Sequence, residues 1–227
     1  MVNQLEAIVF AGGTREPIDD VRVITNLSTG RFGITIARAL ARRGVRVTLA
    51  ASTGVVEPLD DFSGAPGSSG QLVRFASYAN LAEVIDGLAK GAAGIAALVF
   101  MAAAVSDFSP VRSEGKISSD QEEITITMRR NPKLLARFRE QFGLEAYLVG
   151  FKLTSGLRRE EMLEKARKQL EACKLDLVVA NDLKNFENEN HPVTLLTPGG
   201  ETVELVGTRN VVAEQLVEDV LARVAGR

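Results

Sequence analysis

Short, continuous runs of apolar residues alternate along this chain with amphipathic segments. The first run, residues 7–11, is followed by Gly12 and Gly13, as expected of a strand covered on both faces of a parallel sheet. Four similar runs follow, at residues 45–50, 97–100, 147–151 and 175–180, and a further strand is predicted at residues 72–75. Other segments place apolar residues three and four positions apart, as helices do, at residues 32–43, 81–90, 132–142 and 160–173. This alternation predicts an α/β fold, a Rossmann-like doubly wound sheet that is mostly parallel and has helices on both faces.

Two stretches interrupt that alternation. Residues 63–70 are rich in Gly and Ser and predict a surface loop. Residues 109–120, here called the flap, are also poor in apolar side chains. They precede an alternating segment at residues 124–128, which predicts an added, half-solvated strand.

The end of the chain predicts two further elements. Residues 193–196 and 203–206 flank a Pro-Gly-Gly turn and indicate a C-terminal hairpin. Residues 211–224 follow as a closing helix. Because no internal repeat is present, we expect a single domain over residues 1–227.

The charge balance restricts the kinds of partner. The chain has 27 Lys and Arg residues against 29 Asp and Glu residues, which gives a net charge of −2. Proteins that bind nucleic acids or anionic membranes rely on an excess of positive charge. We therefore expect small-molecule partners, with no nucleic acid and no membrane.

The single cysteine and the single histidine exclude other classes of site. Cys173 cannot form an internal disulfide, and with His191 it offers too few ligands for a Cys- or His-rich metal centre. We predict no resident metal site, a packed Cys173 and a structural or solvated His191. The opening residues lack a basic segment followed by an apolar one, and the longest apolar run, 95–105, is shorter than the ~20 residues that span a bilayer. A cytoplasmic protein is expected.

Ligands of open α/β sheets bind at the carboxyl ends of the strands, so residues there are candidates for a site. Gly12 and Gly13 end the first predicted strand, and Ser28, Gly30 and Gly33 surround the start of the next helix. Small residues before a helix let backbone N–H groups approach phosphate oxygens. The same glycines could instead only turn the chain and pack the helix on the strand. The spacing matches neither a Walker A loop nor G-x-G-x-x-G.

Later strands are also followed by polar groups. Asp107 offers an acceptor to a base edge or a ribose hydroxyl, although on its own a turn or capping role is favoured. Lys116 lies in the flap, where a cation could close over a phosphate, although most such lysines are simply solvated. Asn131 and Pro132 predict a helix start, with Asn131 as the capping residue.

Seven motifs occur in a fixed order along the chain. They are Gly-Gly-Thr-Arg-Glu-Pro-Ile-Asp from residue 12, Val-Arg-x-Ile-Thr-Asn-x-Ser-Thr-Gly from 21, Ala-Ala-Val-Ser-Asp-Phe from 103, Lys-Ile-Ser-Ser from 116, Asn-Pro-Lys-Leu-Leu from 131, Gly-Phe-Lys-Leu from 150 and Val-Ala-Asn-Asp from 179. This series resembles the phosphopantothenoylcysteine synthetase family, in its freestanding form, from about residue 7 to residue 182. The resemblance implies a phosphopantothenate–cysteine ligase of coenzyme A biosynthesis. Its partners would be 4′-phosphopantothenate, L-cysteine and CTP, or alternatively ATP, with Mg²⁺ arriving on the triphosphate.

The resemblance also implies roles for individual residues. Asn26 would hold the acyl group of an acyl-nucleotide intermediate, and Lys116 would compensate phosphoryl charge from a mobile flap. Substrate contacts fall on Asn26, Ala104 and Arg22, although Arg22 could instead hold the loop. Phe151 would lie against the base. Nucleotide contacts are implied for Gly13, Ser28, Gly30, Gly33, Ala103, Ala104, Asp107, Pro132, Lys133, Leu134, Leu135, Phe151 and Asn181.

This sequence departs from the fused bacterial members of that family. Those members carry Lys-x-Lys-Lys in the flap, whereas residues 116–119 here are Lys-Ile-Ser-Ser. Two of their nucleotide-contacting lysines fall at Gln169 and Cys173, so the choice between CTP and ATP stays open. Because the first predicted strand begins a few residues after Met1, we expect no preceding flavin-dependent decarboxylase. Family members are dimers, so a homodimer is expected, with the strands at 124–128 pairing between subunits.

Two other classes of function compete with this interpretation. A nicotinamide-dependent oxidoreductase of the short-chain type shares the sheet and the glycine-rich first turn. It would need a lysine four residues after a tyrosine, but Tyr78 is followed there by Ala82 and Tyr147 by Phe151. A non-catalytic nucleotide-sensing module is the third class, and only an assay separates it from an enzyme.

Overall fold

Parallel strands at the centre of the molecule lie in an order that places a chain reversal beside β1. The computed structural model of the protein describes residues 5–65, 67–92, 97–120, 122–185 and 190–227. Within them, the strands are β1 (Glu6–Gly13), β2 (Arg15–Pro17), β3 (Val23–Thr25), β4 (Arg46–Ser52), β5 (Gly70–Phe75), β6 (Ala97–Ala104), β7 (Phe108–Pro110), β8 (Met128–Arg130), β9 (Tyr147–Thr154), β10 (Leu177–Asp182), β11 (Val193–Leu196) and β12 (Thr202–Leu205). The α-helices are α1 (Arg31–Arg42), α2 (Tyr78–Gly91), α3 (Phe138–Phe142), α4 (Arg159–Ala172) and α5 (Arg209–Ala225).

The central sheet of the described chain has the order β12-β11-β10-β9-β6-β1-β4-β5. From β10 to β5 neighbouring strands are parallel, whereas β11 and β12 form the antiparallel C-terminal hairpin that the sequence predicts. The chain leaves β1 towards β4 and β5 and then returns to the other side of β1 as β6. A crevice for a ligand forms at such a reversal, outside the carboxyl ends of the two strands.

Helices cover both faces of this sheet, as the alternation predicts. On one face α1 and α5 pack over side chains such as Val9, Leu49 and Phe100. On the other face α2, α3 and α4 pack over the alternate side chains, among them Phe10 and Leu148. Each of these five side chains is at most 1% exposed, and burial of one such side chain stabilises the fold by about 1.5–3 kcal/mol. The apolar runs of the sequence therefore become the doubly covered strands.

Two short antiparallel pairs stand outside the central sheet. β2 pairs with β3, and β7 pairs with β8. We call residues 15–25, 106–120 and 122–131 the appendage, which includes the flap. It grows from the carboxyl edge of the sheet, because β2 follows β1 directly and β7 follows β6.

The predicted helix at residues 132–142 is wrong. Leu134–Arg137 forms a 3₁₀ turn, and only Phe138–Phe142 is α-helical. Asn131 does not cap a helix, because its amide donates to Ser106 O (3.0 Å) and Ser109 Oγ (2.8 Å) instead. Lys133 is extended, with φ −77° and ψ 109°, so the helical conformation cannot begin at Pro132.

The predicted strand at residues 124–128 is also wrong. The strand there is Met128–Arg130, and its partner Phe108–Pro110 is only three residues long. Thr127 O still accepts from Val111 N at 2.8 Å, but residues 124–126 belong to no strand. A strand over residues 124–128 would need a partner of similar length, and β7 has only three residues.

The remaining elements lie within a few residues of their predicted bounds. Pro66 of the predicted loop and residues 95 and 96 of the longest apolar run lie outside the described residues. Among the described helices, none has both the length and the apolar composition needed to cross a membrane.

Candidate active site

The crevice beside β1 is lined by small residues. In the parallel register Gly12 lies opposite Ala103 and Gly13 opposite Ala104, so β1 and β6 end together. Thr14 N donates to Ala104 O at 3.2 Å, which holds the two strand ends at the same level. With no large side chain at these four positions, a ligand can approach the backbone closely.

Asn26 lies directly over this pair of strand ends. Its amide Nδ2 donates to Ala104 O at 2.9 Å, and its side chain is exposed. A Cβ atom on Gly13 would lie 3.1 Å from Asn26 O, a tight contact, so glycine favours the close approach of the Asn26 backbone. The structure thus brings together Gly13, Asn26 and Ala104. One amide hydrogen is used in this bond, which leaves the other hydrogen and the amide oxygen of the exposed Asn26 side chain for a ligand.

The start of α1 lies beside the same strand end. Gly30 is the residue before the helix, has φ +78°, and provides no side chain to cap the first-turn N–H groups. No acidic residue lies in that turn, so its N–H groups suit an anion. A Cβ on Gly33 would lie 2.8 Å from Ala11 Cβ, which shows that Gly33 packs the helix on β1. Ser28 is half-buried in the loop before the helix.

Asp107 and Lys133 meet beyond the end of β6. Their side chains form an ion pair, and each is more than half exposed. Asn131 N donates to Asp107 O at 2.8 Å, and Tyr78 Oη donates to Pro132 O at 2.8 Å. The segment from Asn131 to Lys133 is therefore fixed beside Asp107. Further along, Leu134 is buried and Leu135 half-buried.

Phe151 on β9 is half-buried against the first turn of α1. Its ring meets that of Phe32 edge to face at 5.9 Å, and Phe32 in turn lies 4.3 Å from the ring of His191. Gln169 Nε2 donates to Phe151 O at 3.3 Å, which places Gln169 beside the predicted base contact. Burial, aided by the charge of Arg209, lowers the pKa of His191 to about 4. His191 is 8% exposed, so its prediction as a structural residue is confirmed and the solvated alternative is wrong.

Asn181 and Asp182 end β10. Asn181 is half-buried, and its backbone oxygen accepts from Thr154 Oγ1 at 3.3 Å. Asp182 is buried and accepts from Thr154 Oγ1 (2.7 Å) and from the backbone N–H groups of Gly156 (2.8 Å) and Leu157 (3.1 Å). The hydrogen bond from Thr154 and those backbone bonds hold the pKa of Asp182 well below its usual range despite burial. Asp182 therefore fixes the turn between β9 and α4 beside Asn181.

The flap lies on the turn between β2 and β3. Ser113 N donates to Ile18 O (2.9 Å) and Asp20 N donates to Gly115 O (3.3 Å). Arg22 donates to the flap backbone through Ile117 O at 2.5 Å, which favours the prediction that Arg22 holds the loop. Lys116 itself is exposed and forms no ion pair with any residue that the structure describes.

Asn26 and Lys116 lie at opposite ends of the β2–β3 hairpin. Asn26 follows β3 at the base, whereas the flap contacts the tip at residues 18–22. Asn26 is four residues from Arg22 at the tip, which at ~3.3 Å per strand residue is roughly 13 Å along the hairpin. The long Lys116 side chain has to reach back along the hairpin to act on a group held by Asn26.

Several buried polar residues at the carboxyl edge of the sheet and in the appendage were not among the predicted site residues. Thr14 Oγ1 accepts from Ser106 N at 3.0 Å, and Ser52 Oγ donates to Gly13 O at 2.6 Å. Glu16 accepts from Tyr78 N and Ser109 Oγ, both at 2.8 Å. Thr14 and Glu16 belong to the motif that begins at residue 12, so the sequence marks these two residues but does not indicate their role.

Two cavities lined by described residues lie outside the crevice beside β1. A broad one opens at the amino-terminal halves of β4 and β5, lined by Arg46, Thr48, Asp60, Gln71 and Arg74 among others. It lies away from the strand ends described above. A smaller one at the carboxyl end of β10 is lined by Asn181, Leu157, Arg159, Thr194 and Glu204 among others, and so extends the carboxyl-edge site.

Sequence and structure comparisons decide the family. Residues 2–224 match the family model of the DNA/pantothenate metabolism flavoprotein C-terminal domain. The chain belongs to this family. A coenzyme A biosynthesis bifunctional protein CoaBC of Thermococcus kodakarensis is 38% identical over 191 residues, which cover 83% of this chain and 44% of that protein. The chain spans about half the length of the curated CoaBC relatives it matches.

Solved structures of this family share the fold. A DNA/pantothenate metabolism flavoprotein from Streptococcus pneumoniae is 24% identical, with a TM-score of 0.82 over 97% of this chain and 99% of that chain. A Cab2 variant in complex with phosphopantothenate-cysteine is 23% identical, with a TM-score of 0.81 over 99% of this chain and 87% of that chain. The Rossmann-like α/β fold predicted from the sequence is thereby confirmed, whereas the family resemblance is confirmed by the family model.

Proposed function

We propose that the protein is a phosphopantothenate–cysteine ligase of coenzyme A biosynthesis. The observation that carries the proposal is the amide of Asn26 held on Ala104 O, over glycine and alanine strand ends at the chain reversal. Family membership supports the same activity, since the CoaBC relatives are coenzyme A biosynthesis proteins. The charged nucleotide and phosphorylated substrate place such an enzyme in the cytoplasm.

The proposed reaction has two steps. The carboxylate oxygen of 4′-phosphopantothenate attacks the α-phosphorus of a nucleoside triphosphate, and the bond to pyrophosphate breaks. The amine of L-cysteine then attacks the acyl carbon, loses a proton and expels the nucleoside monophosphate. A free carboxylate is a poor electrophile, so the nucleotide supplies the leaving group while the protein positions reactants and stabilises charge. Such chemistry needs no Ser–His or Cys–His pair.

Asn26 fits the acyl group of the intermediate. The remaining amide N–H of Asn26 can donate to the carbonyl or phosphoryl oxygens of a mixed anhydride, which only accept. The hydrogen bond to Ala104 O fixes the amide, so little ordering entropy is lost when the intermediate forms. Ala104, with no long side chain, leaves the space that the acyl chain needs.

The nucleotide side of the site is proposed to follow the carboxyl edge. The triphosphate would lie at the start of α1, by Gly13, Ser28 and Gly30, with the base towards Phe151 and Asn181. Asp107, Ala103 and the segment from Pro132 to Leu135 would complete it. We propose CTP as the nucleotide, with ATP as the alternative.

Mg²⁺ is proposed to accompany the triphosphate. This ion is held in proteins by one or two carboxylates together with phosphate oxygens and water. Among the described residues no three potential ligands cluster, and Asp107 is an exposed carboxylate beyond β6. That donor set fits an ion bound chiefly by the nucleotide. When bound, the ion neutralises phosphate charge.

The activity is tested by pyrophosphate release. Purified protein with 4′-phosphopantothenate, L-cysteine, Mg²⁺ and either CTP or ATP should release pyrophosphate only when the acid is present. Equal release without the acid would contradict the proposal. Comparing kcat/KM for the two nucleotides decides between CTP and ATP. No NAD(P)H-linked absorbance change is expected with these substrates, since Tyr78 Oη is engaged by Pro132 O and lacks a partner lysine.

Asn26→Asp tests the acyl contact. The new charge repels an anionic intermediate, so we expect kcat to fall by about 100-fold while nucleotide affinity changes much less. Asn210→Asp, on the exposed first turn of α5, is the matched control and should keep wild-type turnover. Near-normal turnover of Asn26→Asp would show that the assignment is wrong.

Lys116→Gln tests the flap cation. The amide is similar in length but uncharged, so kcat should fall more than nucleotide affinity if the charge acts mainly in the transition state. Lys90→Gln, at the exposed end of α2, is the control. Weaker nucleotide binding with unchanged kcat would make Lys116 a ground-state binding residue. Mobility of the flap without ligand stays a prediction, which the backbone contacts of Ser113 and Ile117 with the β2–β3 turn do not favour.

We propose that the enzyme is a homodimer in which a second copy covers the appendage. Val21, Val23, Phe108, Val111 and Met128 on the appendage are each at least 38% exposed. A set of apolar side chains on one small appendage indicates an interface. Sedimentation at micromolar concentration should show a species of about twice 24.4 kDa. A species of 24.4 kDa alone would contradict the dimer.

A further inference from the structure

Asp19 is a buried carboxylate at the tip of the β2–β3 hairpin, 2% exposed. Its two oxygens have different partners. Oδ1 accepts from Val21 N (2.9 Å) and Arg22 N (2.7 Å), and these bonds close the turn of the hairpin. Oδ2 accepts from Arg22 Nε (3.0 Å) and from Ile117 N (3.1 Å), and the second bond crosses to the flap. A single carboxylate thus joins the turn to a segment almost 100 residues further along the chain.

The Ile117 peptide is held at both of its polar atoms. Its N–H donates to Asp19 Oδ2, and its oxygen accepts from Arg22 at 2.5 Å. Arg22 is itself paired with Asp19, so the three residues form one closed network. Hydrogen bonds to charged partners contribute roughly twice as much as neutral ones. The network therefore fixes the backbone immediately after Lys116.

The neighbouring contacts are weaker. Asp20 N donates to Gly115 O at 3.3 Å, and Arg112 pairs with Asp20 at the surface, where both side chains are more than half exposed. Exposed pairs of this kind contribute little. Asp19, in contrast, is shielded from water. Although burial opposes its charge, bonds from the N–H groups of Val21, Ile117 and Arg22 lower the pKa of Asp19 to about 2, so it stays ionised at neutral pH.

We propose that Asp19 is a positioning residue, which fixes the flap through Ile117 and Arg22 so that the Lys116 ammonium reaches the reacting phosphoryl group. The inference rests on the proposed ligase activity for its functional consequence. A lysine side chain has four rotatable bonds, and a mobile backbone beneath it would add further ordering cost in the transition state. Fixing residue 117 removes that added cost and leaves only the side chain to be ordered.

Asp19→Asn should break the hydrogen bond of residue 19 to the flap while keeping its hydrogen bonds within the turn. The amide oxygen can keep the Oδ1 bonds to Val21 and Arg22, whereas the amide nitrogen at the Oδ2 position cannot accept from Ile117 or from the guanidinium. The matched control is Asp176→Asn. Asp176 Oδ2 likewise accepts from an arginine, Arg139 (2.6 Å), and from a backbone N–H, Leu148 (2.7 Å), but at the amino ends of β9 and β10.

Amide exchange measured by NMR on the full chain, without ligands, tests the contact itself. In Asp19→Asn the Ile117 amide should exchange at least about tenfold faster than in wild type, with exchange in β1 and β6 unchanged. Asp176→Asn should leave Ile117 unaffected. Unchanged exchange at Ile117 in Asp19→Asn would overturn the proposal, whether or not the protein is a ligase. Exchange of the β1 and β6 amides also shows whether the variant has lost its fold.

A double-mutant cycle in the pyrophosphate assay tests the route through Lys116. Asp19→Asn should lower kcat about tenfold with less than a threefold change in the KM for nucleotide. In the Lys116→Gln background the same substitution should lower kcat less than about twofold, because its effect acts through the missing ammonium. If the reductions in kcat caused by the two single substitutions multiply in the double variant, the proposal is overturned. A wild-type kcat in Asp19→Asn would also overturn it. Absence of activity in wild type would instead contradict the proposed function.

Discussion

The central sheet and the appendage are held by different kinds of contact. In the sheet, Val9, Phe10 and Phe100 are fully buried between helices on both faces. In the appendage, the fully buried side chains include the polar Glu16 and Asp19, and apolar ones such as Phe108 face outward. The sheet is stabilised by burial of apolar area, whereas the appendage is fixed by hydrogen bonds between segments distant in sequence.

This difference indicates where stability and activity reside. Loss of an apolar contact in the sheet lowers the free energy of unfolding of the whole domain. Loss of a polar contact in the appendage mainly frees one segment, because the strands there are short and carry little buried apolar area. We expect substitutions in the sheet to affect stability first, and substitutions in the appendage to affect turnover first.

Phe100→Ala should give the largest loss of stability. Phe100 is fully buried on β6, and truncation of a buried phenylalanine costs about 3–5 kcal/mol of unfolding free energy. Urea unfolding followed by circular dichroism measures it. Leu144→Ala is the control, since Leu144 is 81% exposed and should change stability by less than about 0.5 kcal/mol. A loss below 1 kcal/mol for Phe100→Ala would contradict a tightly packed sheet.

His191→Phe tests whether a histidine buried in the core makes the free energy of unfolding depend on pH. The pKa of His191 is about 4 in the fold against 6.5 ordinarily, so the unfolded chain binds its proton first as the pH falls. Wild-type stability should therefore fall by about 3 kcal/mol between pH 7 and pH 4, most of it below pH 6.5. The phenylalanine ring can keep the packing on Phe32 without titrating. If the variant shows the same fall in that window, His191 is not its source.

Glu16→Gln should have the smallest effect on global stability. The carboxylate accepts from Tyr78 N and Ser109 Oγ, and an amide cannot accept at both positions. We expect a loss of about 1–3 kcal/mol together with faster amide exchange in β7 and β8. Glu140→Gln, on the exposed side of α3, is the control and should lose less than about 0.5 kcal/mol. If Glu16→Gln lowers the free energy of unfolding as much as Phe100→Ala does, the proposed difference between the appendage and the central sheet is contradicted.

The sheet could be predicted from the sequence because its cause is local. The apolar run at residues 7–11 has no polar member, and its short length and the two glycines after it favour a strand covered on both faces. Apolar residues likewise recur three and four positions apart in α1, because Ile34, Ala37 and Leu40 are buried on one face of the helix. Once strands and helices alternate, a mostly parallel sheet and a site at its carboxyl edge follow from general rules, whereas the strand order comes from the structure.

The appendage could not be predicted in the same way. Asp19 and Ile117 are 98 positions apart, and no periodicity marks a hydrogen bond between them. Asn131 fits a helix cap by local rules, yet its amide bonds Ser106 and Ser109 because those groups are brought beside it by β7 and β8. Residues 124–128 alternate, but the length of their partner decides whether a strand forms. Roles for Asn26 and Lys116 came from the resemblance, since their chemistry alone fits many sites.

The central claim is ligation through an acyl-nucleotide at the crevice beside β1, and the fate of the carboxyl oxygens tests it most directly. Phosphopantothenate labelled with ¹⁸O in both carboxyl oxygens is converted with L-cysteine and CTP or ATP, and the products are weighed by mass spectrometry. One labelled oxygen should appear in the nucleoside monophosphate and the other in the amide of the product, because the attacking carboxylate oxygen leaves with the nucleotide. Label in inorganic phosphate, or a nucleoside monophosphate without label, would contradict the account.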